Sequence, residues 1–299
     1  MSAKVSNKIF DVINIILLLV ITGIVLYPLY FTIIASVSNP YAVSRGDVLF
    51  WLKDFTLEPY INVFKNSSVW VGYKNSIMYT LIVTAYSLFL TIPCAYVLSR
   101  KGIKGKNVIM TYFVITMYFS GGMIPSYLLV RNLNLINTMW AVILPFGFTV
   151  YNMIVARTFF QANMSDELYE AAKIDGANEY QIFFKIVLPL SSAIIAVIAL
   201  YVAVANWNSY FSAMLYLDDK KLFPLQVVLR NILILNQNMS VADMASLEDE
   251  EVAMLLRREL MAQGMKYSLV FIASAPVLIM YPFVQKHFVK GVMVGALKG

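Results

Sequence analysis

Six long apolar segments divide this 299-residue chain, and they limit its fold more than any other feature of the sequence. Each is long enough to cross the hydrocarbon core of a bilayer as a helix, which rises about 1.5 Å per residue. We predict membrane spans at residues 12–35, 76–98, 108–130, 138–160, 190–215 and 267–289. Because a helix satisfies its own backbone hydrogen bonds in lipid, the expected fold is an all-α integral membrane bundle, formed by residues 1–299 as one domain.

The composition agrees with a membrane protein and excludes several other classes. Hydrophobic residues make up 60% of the chain and charged residues 13%, which is too apolar for a soluble core to bury. The net charge of +6 is explained by contact with lipid headgroups, since no basic stripe interleaved with aromatic residues indicates nucleic acid. A single cysteine, Cys94, excludes an internal disulfide.

Basic residues at the ends of the spans predict the orientation. They are Lys4, Lys8, Arg100, Lys101, Lys104, Lys106, Lys286 and Lys290. Short loops rich in Lys and Arg face the cytoplasm, and the loop between the second and third spans is the clearest case. The outer segments hold nearly as many basic residues overall, so the assignment depends on this short loop. Because six spans return the chain to its starting side, both termini are expected in the cytoplasm.

One charged stretch, residues 165–188, interrupts the apolar pattern and predicts two short helices on the cytoplasmic side. Ser165 is a suitable cap for the first helix, and Asp166 and Glu167 follow it at the positive end of the helix dipole. Gly176 marks a turn that needs positive φ. Tyr180 and Phe183 then begin an apolar face on the second helix.

The first of these helices presents a narrow face that a partner protein could approach closely. Leu168, Ala171, Ala172 and Asp175 recur at intervals of three and four residues. The alternative is a helix pair that lies on the bilayer surface. The first helix has four acids, Asp166, Glu167, Glu170 and Asp175, against one base, Lys173. An anionic leaflet would repel this charge, whereas a basic pocket on a protein would attract it.

These residues resemble a known motif. Glu170-Ala171-Ala172, followed by Gly176 and by Leu188-Pro189, resembles the EAA motif of permease subunits of ATP-binding-cassette (ABC) importers. The sequence Asp-Gly-Ala at residues 175–177 is similar to the sugar-importing branch. The resemblance extends from the first span to the C-terminal KGVMVGALKG, and it is strongest with the maltose-type group, which imports oligosaccharides and polysaccharide fragments.

The resemblance implies an architecture and a set of partners. The expected fold is a six-helix permease bundle of the type I importer kind with a cytoplasmic coupling helix, in the plasma membrane of a bacterium. The expected partners are a homologous permease, two cytoplasmic ATPase subunits and an extracellular solute-binding protein. This chain would bind no cofactor, because ATP and Mg would be held by the ATPase subunits.

The resemblance also assigns roles to particular residues. Those expected to couple to the ATPase are Glu170, Ala171, Ala172, Asp175, Gly176, Ala177, Tyr180 and Phe183. The apolar tail would reach the interface between the two ATPase subunits through Gly295, Lys298 and Gly299, the alternative being a disordered end. Within the external insertion, residues 216–266, an amphipathic helix at residues 247–263 would meet the solute-binding protein, the alternative being an element that only caps the loop.

Polar and aromatic residues inside the spans suggest a pathway for an uncharged polar solute. Sugar rings stack on aromatic faces, and amide side chains bond their hydroxyl groups. The candidates are Tyr118, Asn152, Asn206, Trp207, Asn208 and Tyr210. The alternative is that such residues bond neighbouring helices or lie in an interfacial belt.

No group of residues predicts catalysis or metal binding. The single histidine, His287, lies at the inner end of the sixth span. Two other functions remain open. One is an ABC permease for a solute other than a sugar. The other is an ion-driven secondary transporter, which would need intramembrane acids or arginines and an internal repeat.

Overall fold

A computed structural model describes residues 2–235, 264–280 and 282, and within these residues the regular structure is helical, with no strands. The tail residues Gly295, Lys298 and Gly299 lie outside the described residues. So do the end of the sixth predicted span and residues 236–263 of the external insertion.

The helices in chain order are α1 Ser2–Ser36, α2 Pro40–Ser44, α3 Glu58–Lys65, α4 Ser67–Ser99, α5 Lys106–Tyr118, α6 Met123–Asn132, α7 Trp140–Ile143, α8 Val150–Asn163, α9 Asp166–Ile174, α10 Glu179–Gln181, α11 Leu188–Leu190, α12 Ser192–Trp207, α13 Phe211–Tyr216, α14 Leu225–Leu235 and α15 Gly264–Met280. Short 3₁₀ turns occupy Leu144–Phe146 and Lys220–Leu222, and a π-helix occupies Ile182–Val187. Two compact units result: Met1–Val69 with Leu229–Ala275, and Trp70–Val228 with Pro276–Gly299.

The first unit is built on α1. Its apolar part, Phe10–Ser36, has 27 residues and is therefore about 40 Å long, enough to cross a bilayer core of about 30 Å. The loop that follows α2 returns along this helix, where the Tyr27 hydroxyl donates to the Leu49 carbonyl at 3.2 Å. The ring of Tyr267 on α15 meets Phe31 with its centroid 5.6 Å away.

The second unit holds the larger core. Its fully buried side chains include Met153 and Phe160 of α8, Ile182 and Val187 of the π-helix, and Ile198 of α12. The helix α4 packs against this core through Tyr79, Val83, Ile92 and Tyr96. These contacts join α4, α8, the π-helix and α12 in one core.

Three of the predicted spans are interrupted in this unit. The segment 108–130 consists of α5 and α6, which meet at 109°. The segment 138–160 bends by 43° before α8 begins, and the segment 190–215 is divided between α12 and α13 at residues 208–210. Proline contributes to two bends, because Pro145 lies in the first 3₁₀ turn and Pro189 lies in α11, ahead of a 75° bend into α12.

Candidate coupling helix and solute cavity

The helix α9 begins without the side-chain cap that the sequence predicts. Ser165 is extended, with ψ 153°, but its hydroxyl makes no capping hydrogen bond, so this part of the prediction is wrong. Asp166 and Glu167 occupy the first turn, where the helix dipole favours negative charge. A lysine from another loop binds Asp166, which holds this end of the helix in place.

The turn after α9 has the geometry expected of its sequence. Gly176 has φ +79°, and the amide of Ala177 donates to the carbonyl of Ala172 at 2.9 Å. The amide of Gly176 also donates to the carbonyl of Lys173 at 3.0 Å, which completes a Schellman motif. Asn178 and Gln181 then form a capping box that starts α10.

The two faces of α9 have different surroundings. Tyr169 and Ala172 point inward and are 5% and 6% exposed, whereas Glu170 and Ala171 face solvent and Ile174 is 86% exposed. On the face predicted from the spacing of residues 168–175, Ala172 is therefore buried, whereas Ala171 and Asp175 are exposed. The side chain of Ala172 packs against the core of the second unit and cannot contact a partner protein.

The remaining residues predicted for coupling are divided in the same way. Asp175, Gly176 and Tyr180 are exposed, and Tyr180 retains 78% of its accessible surface. Ala177 and Phe183 are half-buried and pack against the core of the second unit. The exposed surface of this segment is therefore acidic, with a few bare apolar side chains.

The inner side of α9 rests on the loop between α4 and α5. The guanidinium carbon of Arg100 lies 3.5 Å from the centroid of the Tyr169 ring, and the Lys101 ammonium donates to Asp166 at 2.6 Å. A cation over an aromatic ring contributes about 0.5–1 kcal/mol when exposed and about 2 kcal/mol when desolvated. The basic loop and the acidic helix therefore lie on the same side of this unit.

The ionisable groups around α9 are stabilised in the states that these contacts need. The hydrogen bond that Lys101 donates to Asp166, together with the negative charge of that carboxylate, raises the pKa of Lys101. The hydrogen bond from Lys173, 2.8 Å from the Glu179 carboxylate, lowers the pKa of Glu179. Burial raises the pKa of Tyr169, which keeps the phenol neutral. Lys101 and Glu179 therefore keep their charges through the physiological pH range.

Cations also bind the last carbonyl groups of α4. Arg157 donates from Nε to the Leu98 carbonyl at 3.0 Å, and Lys106 donates from Nζ to the Arg100 carbonyl at 2.9 Å. Carbonyl groups at the end of a helix have no partner within the helix, and cations there also favour the helix dipole. The C-terminal end of α4 is therefore fixed by charge.

A second feature of this unit is a cavity of about 720 Å³ between α4, α8 and α12. Its lining combines apolar side chains such as Val83 and Leu200 with aromatic, hydroxyl and amide groups, and none of the lining residues that the structure describes is charged. The polar and aromatic members are Phe146, Thr149, Tyr151, Asn152, Tyr201, Asn206 and Ser209. This mixture can stack on a sugar ring and bond its hydroxyl groups.

The bend before α8 shapes this cavity. A β-carbon added to Gly147 would lie 1.9 Å from Cε1 of Tyr86, so the Tyr86 ring lies directly against the glycine. Phe146 and Thr149, on either side of Gly147, line the cavity. The hydroxyl of Thr80 donates to Oδ1 of Asn206 at 3.2 Å and joins α4 to α12 at the cavity wall.

The structure brings some of the predicted pathway residues together and separates others. Asn152 and Asn206 line the cavity. Trp207 is 5% exposed, and its ring lies 5.9 Å from that of Tyr73. Asn208, Tyr210 and Tyr118 are exposed and are absent from the cavity lining.

Tyr201, Thr149 and Ser209 were not predicted as part of the pathway. A signal was available for Ser209, which lies three residues after Asn206, because residues three or four positions apart share a side of a helix. Tyr201 lies five residues before Asn206 and Thr149 lies in the break before α8, so neither gave such a signal.

Comparison with known proteins supplies independent findings. Residues 67–294 match the family model described as "Binding-protein-dependent transport system inner membrane component". Protein LplC of Bacillus subtilis (strain 168) is 38% identical over 98% of this chain and 96% of its own length. From the same organism, the "Polygalacturonan/rhamnogalacturonan transport system permease protein YtcP" is 39% identical over 98% of this chain and 99% of its own.

A solved structure is similar over almost the same length. It is a crystal structure of "a bacterial ABC transporter involved in the import of the acidic polysaccharide alginate". One of its chains is 32% identical to this one, with a TM-score of 0.83 over 95% of this chain and 98% of that chain.

Proposed function

Because this chain belongs to the family of inner membrane components of binding-protein-dependent transport systems, we propose that it forms, with a homologous permease, the pathway for an oligosaccharide or polysaccharide fragment. Members of this family are permeases, so the chain is a non-catalytic membrane subunit of an ABC importer. It works with an ATPase and a binding protein. The family match favours ATP-driven import over the ion-driven alternative.

One observation supports the coupling role above all others. The helix α9 is held from within by Tyr169 and Ala172, while Glu170, Ile174 and Tyr180 extend into solvent. Large exposed apolar side chains beside carboxylates, such as Ile174 and Tyr180 beside Glu170, suit a contact with a partner protein whose own surface has an apolar centre and a basic rim. We assign this surface to an ATPase subunit, with ATP and Mg bound on the ATPase.

The cavity chemistry and the relatives together support a carbohydrate as the solute. Its amide, hydroxyl and aromatic groups suit a polar molecule without charge in the region they contact. The YtcP relative is named for polygalacturonan and rhamnogalacturonan, and the solved relative imports alginate. A fragment of a polysaccharide is therefore the proposed cargo, delivered by an external binding protein.

The proposed mechanism is alternating access. Closure of the ATPase subunits on ATP displaces α9, and the spans then move from an inward-open to an outward-open arrangement. This requires α9 and both termini to face the cytoplasm. The position of the basic residues Arg100 and Lys101 against α9 supports that orientation, because short basic loops face the cytoplasm.

The coupling role can be tested in proteoliposomes that contain the whole importer. We expect Glu170→Lys to abolish ATP-driven uptake and to prevent co-purification of the ATPase, because the docking surface changes sign. Asp47→Lys reverses an exposed acid in the loop that follows α2 and serves as the matched control. Full co-purification and uptake with Glu170→Lys would contradict the proposal.

The solute can be identified through the binding protein that serves this permease. Its binding to a panel of neutral and acidic glycans, followed by uptake of the best ligand, tests the substrate class. Uptake should need ATP and should be insensitive to collapse of ion gradients. Binding of amino acids or peptides in place of glycans would establish the non-sugar alternative.

A further inference from the structure

Two adjacent residues of the loop between α4 and α5 contact α9. Arg100 lies over the ring of Tyr169, and the next residue, Lys101, binds the carboxylate of Asp166. Asp166 and Tyr169 are three residues apart and therefore lie on the same side of α9. A contact at one point would let the helix pivot, whereas contacts at two points fix its direction as well as its position.

The loop is in turn fixed to the end of α4. The ring of Tyr96, one turn before Arg100, lies 6.2 Å from that of Tyr169 and 5.1 Å from that of Phe183. The guanidinium of Arg100 is 5.9 Å from the same Tyr96 ring, so it lies close to aromatic rings of both helices. Tyr96 is 6% exposed, which leaves it little room to move.

The route from α9 to α12 is less direct than the route to α4. It passes through the turn at Gly176, then through the π-helix Ile182–Val187 and finally through a 75° bend at Ser191. By contrast, α4 is one continuous helix from Ser99 back to Thr80, about 30 Å, and at Thr80 it bonds Asn206 at the cavity. Pro93 lies within this stretch and removes one backbone hydrogen bond without ending the helix.

We propose that Arg100 is the positioning residue of a clasp, formed with Tyr169 and with the Lys101–Asp166 pair, that makes α9 and the inner end of α4 move as one body. Displacement of α9 then reaches the cavity wall through α4. This inference rests on the proposed docking of α9 to an ATPase. It adds the path by which that displacement travels.

A cross-link across the clasp gives the sharpest test. In a chain with Cys94→Ala, the pair K101C and D166C is joined by a short, cleavable bifunctional thiol reagent in the reconstituted importer. If the two elements move together, the cross-linked importer keeps its rate of ATP-driven uptake relative to the same variant before treatment. Loss of uptake on cross-linking, restored on cleavage, would show that the clasp opens and would overturn the proposal.

Substitutions separate the clasp from assembly. Arg100→Ala should lower uptake by about twofold to thirtyfold, the range for residues that carry coupling between sites, while the ATPase still co-purifies. Tyr169→Phe keeps the ring under the guanidinium and should retain uptake, whereas Tyr169→Leu should behave like Arg100→Ala. Arg100→Lys keeps the charge without the planar stack and should restore part of the rate.

The outcomes distinguish this inference from the function on which it rests. If the unaltered chain fails to co-purify with its ATPase, the proposed function is wrong. If Arg100→Ala co-purifies and transports normally, the clasp alone is wrong. If Arg100→Ala does not assemble, the cross-linked variant, which retains Arg100, decides the question.

Discussion

The two ends of the route along α4 are built in different ways. Near Ser99, cations, carboxylates and contacts between tilted aromatic rings join segments that are far apart in sequence, as in the contact of Arg100 with Tyr169. Around the cavity, polar side chains face open space, and the bond from Thr80 to Asn206 joins α4 to α12. The protein is therefore tightly fixed where it would receive force and open where a solute would pass.

The largest effect is expected at the turn that sets the direction of α9. Gly176→Trp places a side chain at φ +79°, a conformation that costs a non-glycine residue about 1–2 kcal/mol, and adds bulk to an exposed docking surface. We expect ATP-driven uptake to be lost while the subunit still inserts into the membrane. Uptake assays and membrane fractionation measure the two properties, and normal uptake would show that the geometry of this end is not required.

An intermediate effect is expected where the cavity wall bends. Gly147→Ala brings a methyl group to within 1.9 Å of Tyr86, and overpacking of this kind costs about 1–3 kcal/mol of unfolding free energy. Thermal unfolding of the purified subunit in detergent measures the loss. Gly23→Ala is the matched control, because nothing lies within 4 Å of that position. Equal stability of the two variants would mean that the Tyr86 contact does not hold the bend.

The smallest effect is expected from a polar group that faces the cavity. Asn206→Ala removes an amide able to bond a solute, and a single hydrogen bond of about 0.5–1.5 kcal/mol corresponds to a change of about twofold to tenfold in half-saturating solute concentration. Asn208→Ala, on an exposed residue two positions away, should leave that concentration unchanged. If Asn208→Ala changed the half-saturating solute concentration and Asn206→Ala did not, the pathway would lie outside this cavity.

Local sequence signals predicted the elements that depend on local chemistry. The helix α9 and the turn at Gly176 follow from acids at a helix start and a glycine at a helix end, and both involve residues close in sequence. The capping bond of Ser165 was predicted by the same reasoning and is not formed. The Lys101–Asp166 pair, which sequence analysis did not foresee, holds this end of α9.

Features set by distant contacts could not be predicted in this way. The bend in the fourth span occurs where Tyr86 of α4 meets Gly147, and apolar periodicity carries no information on such a meeting. Tyr169 is absent from the predicted face of α9, although its ring supports Arg100. Tyr201 joins the cavity only because α12 turns that side toward α4 and α8.

The cations around the C-terminal end of α4 have an electrical consequence. Bacterial plasma membranes are negative inside, and moving one elementary charge through the full field costs or gains about 2.3 kcal/mol per 100 mV. In the proposed orientation, Arg100, Lys106 and Arg157 lie at the negative pole. The resting membrane potential would then oppose any outward displacement of this end of α4. It would hold this end at the cytoplasmic surface even in the absence of nucleotide.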